Sequence, residues 1–196
     1  MEKSEYRVNL VNEYLTKLSL SEDIKEFFFR RNILVTGGAG AIGSNLVIAL
    51  SELVGDQGMV IVLDNLSAIK GSDPIDFPSL SNVMFVQGDV RNDVDLKRVF
   101  RERPTIVYHL AAFFANQNSV DYPENSADVD INGIIKLLDL AQFTNVERFV
   151  YASSGCAIYG SYGEMPLKED FISMHLTTPY QINKMTGEMY SNFYFH

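Results

Sequence analysis

Ile33-Leu34-Val35-Thr36-Gly37-Gly38-Ala39-Gly40-Ala41-Ile42-Gly43 decides how this chain is read. A short apolar run enters three glycines, Gly38, Gly40 and Gly43, spaced G-x-G-x-x-G. Leu46, Val47, Leu50, Leu53 and Val54 then follow at helical spacing. Strand, tight turn and helix are the context that gives this pattern meaning. The glycines let the backbone turn sharply, approach a pyrophosphate and pack the helix on the strand. The first helical turn aims free N–H groups and a positive dipole end at phosphate oxygens. A dinucleotide site is therefore expected here.

The next strand tests that expectation. Met59-Val60-Ile61-Val62-Leu63 is a buried-strand run that ends in Asp64. An acidic side chain at this tip accepts hydrogen bonds from the adenosine ribose. It also repels a 2′-phosphate, which favours NAD over NADP. Without the upstream glycines, Asp64 and Asn65 would read simply as a turn.

The 196 residues are 46% hydrophobic, which suits one globular domain with a substantial core. The net charge of -9 argues against a polyanion-binding surface, so no nucleic-acid partner is expected. Arg30-Arg31 and the group Arg98, Arg101 and Arg103 read as solvated faces. No apolar run approaches the roughly 20 residues of a membrane span. Phe27-Phe28-Phe29 is too short for a signal peptide. The single cysteine, Cys156, excludes an internal disulfide and fits a reducing, cytoplasmic setting. His109, His175 and His196 lack metal-ligand spacing, so no metal is expected.

Residues 1–31 precede the glycine loop and read as a helical extension. Val8, Val11, Leu15 and Leu18 repeat at helical spacing. Ser19-Leu20-Ser21-Glu22 reads as a capping box opening a second helix through Ile24, Phe27 and Phe28. From residue 32 to 196 strands and helices alternate, which implies a parallel α/β sheet. Further strands are expected over Val83–Val86, Thr105–Leu110 and Arg148–Ala152. Helices are expected over Asp93–Phe100, Ile131–Phe143 and Pro179–Phe195. The long connections, 66–82 and 155–178, are candidates for function.

Tyr180-Gln181-Ile182-Asn183-Lys184 carries the chemistry. Tyrosine and lysine four apart share one helix face. An ammonium nearby stabilises a phenolate and lowers the tyrosine pKa. Such a tyrosine can take a proton from an alcohol, and the lysine can also hold a nicotinamide ribose. Of the ten tyrosines, only Tyr180 has a lysine four residues on. An isolated pair of this kind is more often an ordinary amphipathic face; the glycine fingerprint and Asp64 change that balance.

With these motifs in place, residues 32–196 resemble the extended short-chain dehydrogenase/reductase family, in its NAD-dependent epimerase/dehydratase branch. Thr36 to Gly43 is similar to T-G-x-x-G-x-x-G. Leu63-Asp64-Asn65-Leu66-Ser67 is close to the form of UDP-glucose 4-epimerases. Gly88-Asp89-Val90 resembles the adenine-contacting segment. His109-Leu110-Ala111-Ala112 resembles the strand end lining the cofactor. Tyr151-Ala152-Ser153-Ser154 to Gly160 resembles the catalytic-serine segment. The resemblance implies a Rossmann-type doubly wound sheet of order 3-2-1-4-5. It implies NAD contacts from Gly37, Gly38, Gly40, Ala41, Ile42 and Gly43 in the loop. It adds Asp64, Asn65, Asp89, Val90, Leu110, Ala111 and Ala112 at the strand ends, with Tyr180 and Lys184. Catalysis is assigned to Tyr180, Lys184 and Ser154.

Three departures from the family pattern stand out. Gly155 occupies the usual serine position, so Ser154, one residue earlier, is the candidate and Ser153 the second choice. Asp130 stands where the pattern N-x-x-G-T has asparagine. Its negative charge would favour an oxidised nicotinamide, but its plainer reading is helix N-terminal charge. The chain also stops at His196, where family members continue into a smaller substrate domain. It therefore reads as part of a longer enzyme, silent alone, with Arg148–Ala152 an exposed strand edge that invites homo-oligomers.

The resemblance implies a nucleotide-sugar epimerase acting on a UDP- or dTDP-sugar, by oxidation of a sugar hydroxyl and re-reduction of the ketone. A 4,6-dehydratase, a keto-reductase and a non-catalytic NAD-binding scaffold are the alternatives. The dehydratase fits less well, because Cys156 and Ala157 stand where that branch carries an Asp-Glu pair.

Overall fold

The computed structural model describes residues 3–68, 79–113, 116–160 and 164–196. Parts of both long connections, 69–78 and 161–163, lie outside the described residues, as do the side chains of Cys156 and Ala157.

Two helices open the chain, α1 (Lys3–Leu18) and α2 (Glu22–Phe28). Strand β1 (Asn32–Thr36), helix α3 (Ala41–Val54) and strands β2 (Met59–Asp64) and β3 (Val83–Gln87) follow. Then come α4 (Asp93–Phe100) and β4 (Ile106–His109). A helical stretch runs through α5 (Asn116–Asp121), α6 (Pro123–Ala127), a π-turn (Asp128–Asn132) and α7 (Gly133–Phe143). Strand β5 (Arg148–Tyr151), a short α8 (Gly155–Ile158) and α9 (Pro179–Phe195) complete it.

The five strands form one parallel sheet of order β3-β2-β1-β4-β5, as the resemblance implies. The physical reason is visible in β1 and β2. Both are continuous apolar runs with no polar face, so both sides must be covered. Side chains alternate across the sheet. Ile33 and Val35 pack with Val60 and Val62 against Val47, Leu50 and Val54 of α3. Leu34, Ile61 and Leu63 face the other way, onto Leu96 and Val99 of α4 and Leu137 of α7.

The N-terminal helices pack outside α3. Arg7 of α1 donates to Ser44 in the first turn of α3 at 2.5 Å. The expected capping box is not formed. Ser21, not Ser19, occupies the cap of α2, and its side chain makes no capping bond. Ser19 adopts a left-handed conformation (φ 47°) that ends α1 instead. Arg31 is also not a solvated face. It pairs with Glu147 at 2.5 Å and lies over the Phe27 ring, tying the extension to the entrance of β5.

The stretch from α5 to the π-turn was not legible as helix. Its inward positions are small polar residues, Ser119 and Ser126, which leave no apolar periodicity. Strand β5 lies at the edge of the sheet and is half exposed, with Val150 37% accessible.

Leu34 is fully buried at the sheet centre, whereas Phe143 is 85% exposed at the end of α7. Leu34→Ala is expected to cost about 2–5 kcal/mol, and Phe143→Ala to stay within about 0.5 kcal/mol. Urea unfolding of both variants measures the contrast.

Candidate active site

All five strands run in one direction, so the loops after them gather along one edge. The strand order reverses between β1 and β4, the switch point at whose carboxyl ends open α/β sheets bind ligands. The sequence-named residues lie along this edge. Thr36 ends β1, Asp64 ends β2 and His109 ends β4.

The glycine loop turns sharply after β1. Gly37 has φ +70°, and a Cβ there would sit 2.6 Å from the backbone nitrogen of Ala111. Only glycine meets both demands. The loop is held by Gly37 N–H to Leu63 O (2.9 Å) and Gly40 N–H to Gly37 O (3.2 Å). Ala41 and Ile42 are exposed in the first turn of α3, and Ile42 is 74% accessible. Gly38 and Gly43 are buried beneath them.

Asp64 has a structural task beside the expected one. One carboxylate oxygen accepts from Ala39 N–H (2.9 Å) and the other from Leu66 N–H (2.8 Å). It thereby staples the glycine loop to the tip of β2. A carboxylate has about four acceptor sites, so both oxygens retain capacity for ribose hydroxyls. Asn65 donates to Asp89 at 2.9 Å. Arg91 grips Asp89 through Nε and Nη2, both at 2.9 Å, and reaches Asp128 at 3.2 Å. This fork holds the Asp89 carboxyl down at about 2. The Val90 side chain is turned into the core, so only its backbone is left to meet a ligand.

At the end of β4, the Thr36 hydroxyl meets His109 Nδ1 at 2.7 Å and accepts from Ala111 N–H at 3.3 Å. Leu110 N–H donates to Thr36 O. His109 is fully buried. Burial first, and the Lys184 charge second, lower its pKa to about 3 and keep it neutral. Leu110, Ala111 and Ala112 are half-buried along this edge.

Helix α9 carries Tyr180 and Lys184. Thr178 caps it, accepting from Gln181 N–H, while the Gln181 side chain closes a capping box and Pro179 starts the first turn. Ser119 accepts from Tyr180 N–H at 3.0 Å. Lys184 is only 3% exposed, and its Nζ donates to Ala152 O at 2.8 Å. That Nζ lies 4.9 Å from the Tyr151 ring centre and 5.8 Å from the Tyr180 ring centre. Gly187 permits this approach, because a Cβ there would overlap the Tyr151 hydroxyl. Tyr180 is half-buried. Ser154 caps α8 by position and is half-buried, whereas the Ser153 hydroxyl is buried without a hydrogen-bond partner among the described residues.

Asp130 corrects one expectation. It is not helix N-terminal charge, because it lies inside the π-turn of a continuous helical stretch and is 3% exposed. Its carboxylate accepts from Phe113 N–H at 2.7 Å, Ser126 Oγ at 3.1 Å and Asn183 Nδ2 at 3.4 Å. Ser119, Ser126 and Asn183 were missed as site residues. A signal existed for the start of α9, since Thr178-Pro179-Tyr180-Gln181 is a capping-box spacing. Among the described residues, no group of His, Cys, Asp and Glu is placed to hold a metal ion.

Residues 33–194 match the NAD dependent epimerase/dehydratase family. The chain belongs to that family. A UDP-glucose 4-epimerase of Mycolicibacterium smegmatis is 35% identical over 82% of this chain and 50% of its own length. An epimerase structure from the methanogen Methanothermobacter thermautotrophicus superposes with a TM-score of 0.81 and 49% identity, over 88% of this chain and 49% of that one. The Thermus thermophilus UDP-glucose 4-epimerase in complex with NAD gives 0.71 and 36%, over 83% and 50%. The chain thus spans about half the length of the family members it matches. Among the described residues, no helix is long and apolar enough to cross a membrane.

His109 yields a pH signature. Its folded pKa lies below its unfolded value near 6.5, so the unfolded chain takes up the proton first as pH falls. Stability is complete above pH 6.5 and is lost progressively toward pH 3. Between pH 6.5 and 5.5 the loss should be about 1 kcal/mol. Urea unfolding at the two pH values should show it, and His109→Gln should remove it.

Proposed function

We propose that residues 32–196 form the NAD-binding domain of a nucleotide-sugar epimerase, with residues 1–31 as a helical extension on its outer face. The observation that carries this is the placement of α9. It brings Tyr180 and a buried Lys184 to the same strand ends as the glycine loop and Asp64.

The chain's residues fit NAD. The glycine loop leaves Ala41 and Ile42 open at a helix N-terminus, where phosphate oxygens bind. Asp64 offers acceptors to the adenosine ribose, and Asp89 with Asn65 borders the adenine side. When bound, NAD supplies the hydride acceptor of a sugar oxidation and the donor of the reverse step. Lys184 holds the nicotinamide ribose and stabilises a phenolate. Tyr180 takes and returns the proton of the sugar hydroxyl at its own oxygen. Ser154 hydrogen-bonds the same sugar oxygen. A UDP-linked hexose is the best-supported substrate, because two of the three proteins named above are UDP-glucose 4-epimerases; a dTDP-sugar fits the same chemistry. The setting is the cytoplasm, in keeping with a lone cysteine.

NAD should bind more tightly than NADP, because Asp64 repels a 2′-phosphate. Calorimetric titration of both cofactors checks this, and equal or tighter NADP binding would contradict it. In a coupled UDP-glucose/UDP-galactose assay of the full-length protein, Tyr180→Phe should lose roughly 10²–10⁴ in turnover, with NAD affinity nearly unchanged. Ser154→Ala should also slow turnover. If Ser153→Ala is the damaging change instead, the serine is misplaced by one residue.

A further inference from the structure

Among the described residues, one carboxylate and one ammonium are buried, Asp130 and Lys184. They lie on elements packed against each other, the π-turn and α9. Each partner of the Asp130 carboxyl is a donor: Phe113 N–H, the Ser126 hydroxyl and the Asn183 amide. Ser126 itself accepts from Asn183 at 2.9 Å, which leaves its own proton for Asp130. Phe113 N–H and the Asn183 amide N–H can only donate, whereas the Ser126 hydroxyl can donate or accept. Two donor-only partners therefore favour the ionised form. Burial still pushes Asp130 upward, and Phe113 N–H, Lys184, Asn183 and Ser126 oppose that push. Lys184 mirrors it. Burial pulls the amine down, and Asp130 is the charge that opposes the pull.

The titratable groups around Lys184 come from several elements. His109 faces it from β4 and Tyr151 from β5, with Tyr180 on its own helix. His109 is held neutral, and burial raises Tyr151 well above the usual tyrosine range. Glu188, one turn along α9, is exposed. Asp130 is left as the buried negative charge in this compartment.

We infer that Asp130 is the counter-charge of Lys184, a positioning residue that holds the lysine as an ammonium beside Tyr180. Asn183 links the two, since it donates to Asp130 and directly precedes Lys184. The family pattern has asparagine at position 130, so this chain carries a charge where its relatives' pattern carries a neutral amide. The inference deepens the acid–base role proposed for Tyr180, because Lys184 favours a phenolate only while it is charged.

The test needs no turnover, so it is independent of that role. The Lys184 Nζ resonance of the unliganded chain is followed with pH by 15N NMR, assigned with Lys184→Arg. Asp130→Asn keeps the shape and one acceptor oxygen but removes the charge. It should lower the Lys184 midpoint by about one pH unit or more. The reciprocal variant, Lys184→Met, should raise the Asp130 carboxyl midpoint, read by 13C NMR, by a similar amount. Should Asp130→Asn not fold, the Lys184→Met measurement decides alone. Midpoints that stay in place in the folded variants would overturn the inference and leave Asp130 a hydrogen-bond acceptor only. Loss of the Tyr180→Phe phenotype would instead sink the catalytic proposal while leaving these titrations intact.

Discussion

The contact between the ends of β1 and β4 is the constraint on which the site depends. Thr36 leaves β1 with its hydroxyl shared between His109 Nδ1 and Ala111 N–H, and Gly37 turns with its Cα against the Ala111 backbone. The two strands are parallel neighbours at the point where the sheet order reverses. Connections leaving them diverge to opposite faces, the switch point at which open α/β sheets bind ligands. A side chain at position 37 would push the strand ends apart and displace the loop that Asp64 staples from β2.

The second half of the site is governed by a buried ammonium. Removing such an ion from water costs several kcal/mol even after relaxation, while one hydrogen bond returns about 1 kcal/mol. The bond from Lys184 to Ala152 O cannot offset that cost alone. The surrounding helices respond to it. A π-turn, the type of irregularity often found at functional sites, places Asp130 against α9. Ser126 and Asn183 complete its hydrogen bonds, and Ser119 fixes the first turn that carries Tyr180. The helical stretch from α5 to α7 is thus the support that lets a charged lysine sit under the strand ends.

The N-terminal extension belongs to a different logic. Its helices lie on the outer face of α3, and its polar contacts run through Arg7 to Ser44 and Arg31 to Glu147. These tie it to the first turn of α3, at the carboxyl ends of the strands, and to the entrance of the edge strand, at their amino ends. Membership of the NAD dependent epimerase/dehydratase family covers residues 33–194. The two N-terminal helices lie outside that matched range.

Local sequence determined the elements whose partners are repetitive. Apolar runs with no polar face required a sheet covered on both sides, and the alternation of strand and helix required it to be parallel. The glycine spacing, Asp64 at a strand tip and the Tyr180–Lys184 spacing marked the candidate residues that the fold gathers at the strand ends, because each pattern lies within a few positions. Tertiary structure decided what depends on distant partners. Whether Asp130 was surface helix charge or a buried counter-ion turned on Phe113, Ser126 and Asn183, which no local pattern joins to it. The small serines that seat α5 and α6 carry no hydrophobic period, so those helices were silent in the sequence. Arg31 read as solvated until the fold brought Glu147 beside it. Periodicity reports how a segment meets a surface, whereas charge and hydrogen-bond partners across the chain are set only when the surfaces meet.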